Sequence, residues 1–156
     1  MMKSIHKAFL ILICPLFVVG LASCSKEEDE VTISTTNLLT KAAWKLDAAG
    51  IDLDKDGEID QHYEIEACSA DNNLLFDKDG SGVFTSGELP CENEEASEQS
   101  FDWVMKENNT IISLVVPAVI HGDAVIKVLN ENKLSIYQVL EISAGVTVHQ
   151  YLVLKH

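Results

Sequence analysis

From Thr110 to Lys155 apolar side chains recur at alternate positions: Ile112, Leu114 and Val116, then Leu134 and Ile136, then Val146, Val148, Leu152 and Leu154. A period of two marks strands with one buried face, because successive side chains point to opposite faces of a sheet. Between these runs lie short segments rich in turn formers: Lys106-Glu107-Asn108-Asn109, His121-Gly122-Asp123, Asn130-Glu131-Asn132 and Ser143-Ala144-Gly145. Connections that short join neighbouring strands in an antiparallel meander. Upstream, strand signals cover Trp44 with Leu46, Asn73 to Phe76, Gly82 to Ser86 and Gln99 to Lys106; Ala124 to Asn130, Lys133 to Leu140 and Val146 to Lys155 follow. Together with the run from Thr110 they make about eight strands. Asn37 is read as the cap of one helical turn through Leu38, Leu39 and Lys41. The expected fold is all-β, an antiparallel meander closed into a barrel or left as a half-barrel. Closure removes the edges that invite aggregation, and a sandwich of two sheets fits the same pattern.

The first residues read differently. Basic Lys3 and Lys7 precede an apolar stretch from Ala8 to Val19 and then small residues, the three parts of a secretory signal. A bilayer span needs roughly 20 apolar residues, so this stretch is too short for a membrane helix. Leu21-Ala22-Ser23-Cys24 resembles the lipobox read by lipoprotein signal peptidase, which implies cleavage after residue 23 and lipid on the Cys24 thiol. Several acyl chains hold a protein on a membrane stably, whereas one holds marginally at about 0.8 kcal/mol per buried CH₂. Ser25-Lys26-Glu27-Glu28-Asp29-Glu30 resembles the acidic signal that sends Bacteroidetes lipoproteins to the outer face of the outer membrane. The resemblance implies a lipid-anchored protein at the cell surface. Residues 24–36 are polar, without apolar periodicity, and read as a flexible tether before a domain over 37–156.

Loss of residues 1–23 removes Lys3 and Lys7 and no acidic residue, taking the net charge from −14 to −16: nine lysines against 25 acidic residues, with no arginine. Such a surface repels nucleic acid, whose binding depends on Lys and Arg neutralising phosphates, and draws divalent cations instead. Cys14 leaves with the signal and Cys24 carries the lipid, so Cys68 and Cys91 remain as one pair in an oxidising setting. They read as a disulfide. A two-thiol metal site without a histidine pair, or a redox couple without C-x-x-C spacing, fits the residues less well.

The order of Leu39 and Trp44-Lys45-Leu46, Cys68, Asp71-Asn72, Leu75-Phe76, Asp79-Gly80, Cys91, Phe101-Asp102-Trp103 and then paired strands resembles the lipocalin-like domain of Bacteroidetes lipoproteins. The similarity covers roughly residues 38–156 and implies a small meander barrel or half-open barrel with a disulfide across one end. The larger lipocalin family carries Gly two positions before its first-strand Trp and an Arg stacked on that ring. Here Ala42 holds the Gly position and there is no Arg.

Two Asp-rich segments interrupt the strand pattern. Asp52, Asp54, Asp56, Gly57, Glu58 and Asp60 spell D-x-D-x-D-G-E-x-D, with oxygen ligands at alternate positions and Gly where a calcium loop turns sharply. Calcium takes six to eight oxygens, roughly, and carboxylates without a cation repel one another. The twelfth position is Tyr63, where an EF-hand has Glu. A second segment, Asp77, Asp79, Ser81 and Glu88, has EF-hand spacing through the twelfth place, but its flanks read as strand and Leu89-Pro90-Cys91 follows at once. It is read as a hairpin turn.

No catalytic constellation is evident: His62, His121, His149 and His156 lie outside metal-ligand spacing, and no G-x-S-x-G elbow occurs. Two readings of different class stand. One is a surface-anchored binding module, not an enzyme, for a small apolar molecule or a protein partner, with calcium at Asp52, Asp54, Asp56, Glu58 and Asp60. The other is a calcium-dependent EF-hand or dockerin-like interaction module, in which helices flank the Asp loops.

Overall fold

The computed structural model describes residues 34–89, 91, 97–116 and 119–156; the signal, Cys24 and the tether as far as residue 33 lie outside them. A short helix, α1 (Thr35–Leu39), opens the domain, and its cap is Ser34, whose Oγ accepts the Asn37 N–H at 3.2 Å. Ser34 stands three residues before Asn37 with extended backbone, the geometry a side-chain cap requires, so Asn37 falls inside the helix.

Among the described residues nine strands follow: β1 (Trp44–Asp52), β2 (Gln61–His62), β3 (Asn73–Phe76), β4 (Ser81–Thr85), β5 (Glu98–Lys106), β6 (Ile111–Val116), β7 (Ile120–Leu129), β8 (Lys133–Ser143) and β9 (Val146–Lys155). A four-residue helix, α2 (Ala67–Ala70), sits between β2 and β3. β3 to β9 pair in chain order, and β1 closes the ring by pairing with both β3 and β9. Eight antiparallel strands therefore make a closed barrel, and β2 is a two-residue addition to the edge of β1. One sheet closing on itself replaces the sandwich alternative. Every strand and core residue described lies in 34–156, so this unit carries its own core.

Inward positions follow the alternation. Leu74 and Phe76, Phe101 and Trp103, Ile112, Leu114 and Val116, Ile120 and Ala124, Leu134 and Ile136, and Leu154 form one buried cluster with Leu39 and Trp44. Phe76 meets Phe101 and Trp103 edge-on, at centroid separations of 5.3 and 5.8 Å, the arrangement favoured by ring quadrupoles.

Leu39 brings α1 into this cluster, so α1 closes the end of the barrel where β1 begins. The Trp44 indole N–H donates to the Leu39 carbonyl at 2.8 Å, fastening α1 to β1. His156 stacks on the same indole with ring centroids 3.7 Å apart. The Trp103 indole N–H reaches the Asp77 and Ser81 carbonyls at 3.1 and 2.8 Å. The second Asp segment is thus the β3–β4 hairpin turn: Gly80 takes φ +92°, and Asp79 Oδ1 accepts both the N–H and the hydroxyl of Ser81. Glu88 lies beyond β4, at the other end of the barrel.

One expected turn is a strand. His121, Gly122 and Asp123 lie inside β7, opposite Val115, Leu114 and Ser113, and the chain reverses earlier, where the Val119 N–H bonds to the Val116 carbonyl at 3.1 Å. Gly122 has φ +90°. Glycine adopts that angle without steric cost, so it can sit inside a ladder while carrying the composition of a turn.

Candidate functional site

The opposite end of the barrel is built from excursions rather than tight turns. Between β1 and β3 the chain runs through the Asp loop, β2 and α2, and Cys68 of α2 is joined to Cys91 by a disulfide with Cα atoms 5.3 Å apart. The pairing uses both thiols and ties α2 to the segment after β4. Side-chain caps reinforce it: Asn72 Oδ1 accepts the Gly87 N–H and Asp71 Oδ2 the Leu89 N–H, each at 2.9 Å. Gly87 packs so close to the Asp71 carboxylate that a Cβ would collide with it.

Inside this end lies a cavity of about 650 Å³, within the usual range for small-molecule sites. Trp44, Leu46, Leu74, Phe84, Leu152 and Leu154 give it an apolar floor; Gln99, Gln138, Gln150, Asn72 and Asn73 bring amides to its wall, and Tyr63 lines it from the segment after β2. The position of Gln138 follows from the strand pattern. Pairing of β7 with β8 ends at Val125 opposite Tyr137, while β8 goes on with β9 to Ser143. The Gln138 amide donates to the otherwise unladdered carbonyls of His121 and Asp123, at 2.8 and 3.1 Å. Such carbonyls need a partner wherever strands part.

On the outer face of β1 the Asp loop folds back over the barrel. Gly50 makes this approach feasible, since a Cβ there would strike the Gln61 carbonyl and the Ile59 side chain. Asp52 is fully buried beneath its own loop, with Oδ1 accepting the Lys55 N–H at 2.6 Å and Oδ2 the Gly57 N–H at 3.0 Å. Asp60 Oδ2 accepts the Leu53 N–H at 2.7 Å. The carboxylates of Asp52, Asp54 and Asp60 each offer an oxygen within 4.8 Å of the others. Asp56 and Glu58 are not in this group; Asp56 Oδ1 instead caps the Glu58 N–H at 2.8 Å. A carboxylate has about four lone-pair sites, so Asp52 retains acceptor capacity beside its two backbone bonds.

The same face carries Tyr137, His149 and Tyr151. Tyr137 stacks on His149 at 4.2 Å, and His149 Nδ1 stands 3.8 Å from Asp52 Oδ2. Burial, and after it the charge of Asp52, pushes the Tyr151 hydroxyl above its ordinary pKa. The face shared by Thr147, His149 and Tyr151 is thus the floor under the Asp loop.

The Asp loop is entered from β1 and left through β2, so the helix–loop–helix arrangement of an EF-hand is absent among the described residues. Sequence reasoning located the loop and the disulfide but missed the cavity amides. A signal was present: Gln150 occupies an inward position in the series Val148, Gln150, Leu152, Leu154. A polar residue amid an apolar stripe either finds a partner or faces a solvated space. No protein-family model and no curated protein matches this sequence.

Proposed function

We propose that the chain is a lipid-anchored, lipocalin-like binding module displayed on the outer membrane, and that its barrel holds a small, largely apolar molecule. The cavity carries this reading: an apolar floor of about 650 Å³ at one end of a closed barrel, with convergent polar groups, is the usual form of a small-molecule site. The anchor and location rest on the signal, Cys24 and the acidic run after it. Calcium at Asp52, Asp54 and Asp60 would relieve their mutual repulsion and brace the open end, at the affinity of about 10⁻⁴–10⁻³ M common in extracellular modules.

The test uses the chain from residue 25 onward and N-phenyl-1-naphthylamine, a neutral apolar fluorophore. Saturable one-to-one binding is expected, lost in Ala49→Phe, which fills the cavity, while the β circular-dichroism spectrum is retained. Binding that is unsaturable, or unchanged in the folded Ala49→Phe protein, sinks the reading.

A further inference from the structure

We infer that the ligand is a neutral amphiphile, an apolar body with an uncharged hydroxyl- or carbonyl-bearing head, and not a carboxylate, phosphate or amine. This rests on the binding reading above and narrows it. The chain has 25 acidic residues, 11 lysines and five histidines, yet among the described residues the cavity wall holds no Asp, Glu, Lys or His. Among the described residues the phenol of Tyr63 is the titratable side chain at the wall; the Tyr151 hydroxyl lies outside, beside Gly57 of the Asp loop.

Amides take the place of charges. Gln138 and Gln150 face one another across β8 and β9, and Gln99 joins them from β5. The amide hydrogens of Gln138 are taken by the His121 and Asp123 carbonyls, which leaves its oxygen as an acceptor, while Gln99 and Gln150 each bring two donors and an acceptor, so a hydroxyl or ester head can exchange its water hydrogen bonds for protein ones at little net cost. A carboxylate or ammonium entering the same space loses its hydration and meets no counter-charge at the described wall, which is far more costly. The field of the protein adds to this discrimination. A net charge of −14 over the whole chain disfavours anions at a distance, and a cation drawn in by that field finds no carboxylate at the described wall.

The apolar end of the ligand is placed by the floor. Trp44, Leu74 and Leu154 are almost wholly buried at the boundary with the packed core, so the tail points down the barrel and the head remains with the glutamines.

Three probes sharing one tail separate the possibilities: monodecanoylglycerol, decanoate and decylamine, each titrated below its micellar range by calorimetry into the chain from residue 25 onward. The glycerol ester is expected to bind at least about tenfold more tightly than either ion. Gln150→Lys is expected to invert the order by raising decanoate affinity about tenfold or more. Decanoate or decylamine binding the unaltered protein as tightly as the ester overturns neutrality and leaves the cavity reading intact. Silence from all three probes, with N-phenyl-1-naphthylamine also unbound, overturns both.

Discussion

The two ends of the barrel are made by the same strands and solve opposite problems. At the α1 end, inward positions carry Phe76, Phe101, Trp103, Ile112 and Leu134, short turns close the strands, and the indole N–H groups of Trp44 and Trp103 are used to fasten the cap and a hairpin. At the other end, glutamines and asparagines take inward positions, and order comes from outside the wall: a disulfide, two Asx caps and a loop laid over Gly50. A barrel of this size has enough apolar side chains to fill one end densely. Leaving the other end unfilled creates a cavity, and the loops around it must then be held by covalent and polar constraints in place of packing.

That contrast can be broken at either end. The largest effect is expected from Phe76→Ala, which opens a void among three aromatic rings and should cost about 3–5 kcal/mol in denaturant unfolding. Phe84→Ala, the same truncation in the cavity wall, is expected to cost clearly less, because that ring is only partly buried and already borders open space. Equal losses would show that both ends are packed alike. Next comes Cys68→Ala with Cys91→Ala, which removes a link spanning 23 residues and should cost about 3 kcal/mol by the chain-entropy argument. Proteolysis should then cut first between β4 and β5, with the α1 end still protected.

A smaller effect is expected from Asp52→Asn, which weakens two backbone caps and should cost about 1–3 kcal/mol. Millimolar calcium is expected to raise the melting temperature of the unaltered chain and not that of Asp54→Ala with Asp60→Ala; an equal rise in both would remove the calcium site. The smallest effect concerns acid. Hydrogen bonds from the Ser81 hydroxyl and N–H hold Asp79 below its ordinary pKa of 3.8. A depressed carboxylate contributes stability above that value and loses it as pH falls through its folded pKa. Ser81→Ala should flatten the stability profile only below about pH 4, a slight change because Asp79 is exposed.

Much of the packed end was legible from residues alone. Alternation in β6, β8 and β9 gave their inward faces, and Asn73–Phe76 was placed without error, because burial on one face imposes period two whatever the partner strand is. β7 begins at Ile120, four residues before the Ala124 that its composition suggests, since a glycine at positive φ inside a ladder has the same composition as one in a turn. The open end was legible only in part. The D-x-D-x-D-G spacing gave the Asp loop, but which carboxylates converge depends on Asp52 turning under the loop while Asp56 caps its neighbour, a choice made by tertiary folding. The cavity is a gap between strands far apart in sequence, and no local pattern encodes a gap.

The closing ladder has a consequence for the order of events during synthesis. β1 pairs with β9 over seven residues, from Lys45 opposite Lys155 to Asp52 opposite His149, but with β3 over only Trp44 and Lys45. A chain made from its N-terminus therefore holds the longer edge of β1 without its partner until β9 has been made. Ring closure between such distant segments is slow relative to hairpin formation, and in that interval the nascent strand is the part most exposed to wrong pairing. Lys45 and Asp47, charged residues on that waiting strand, are of the kind that discourages a foreign strand from adding to an edge.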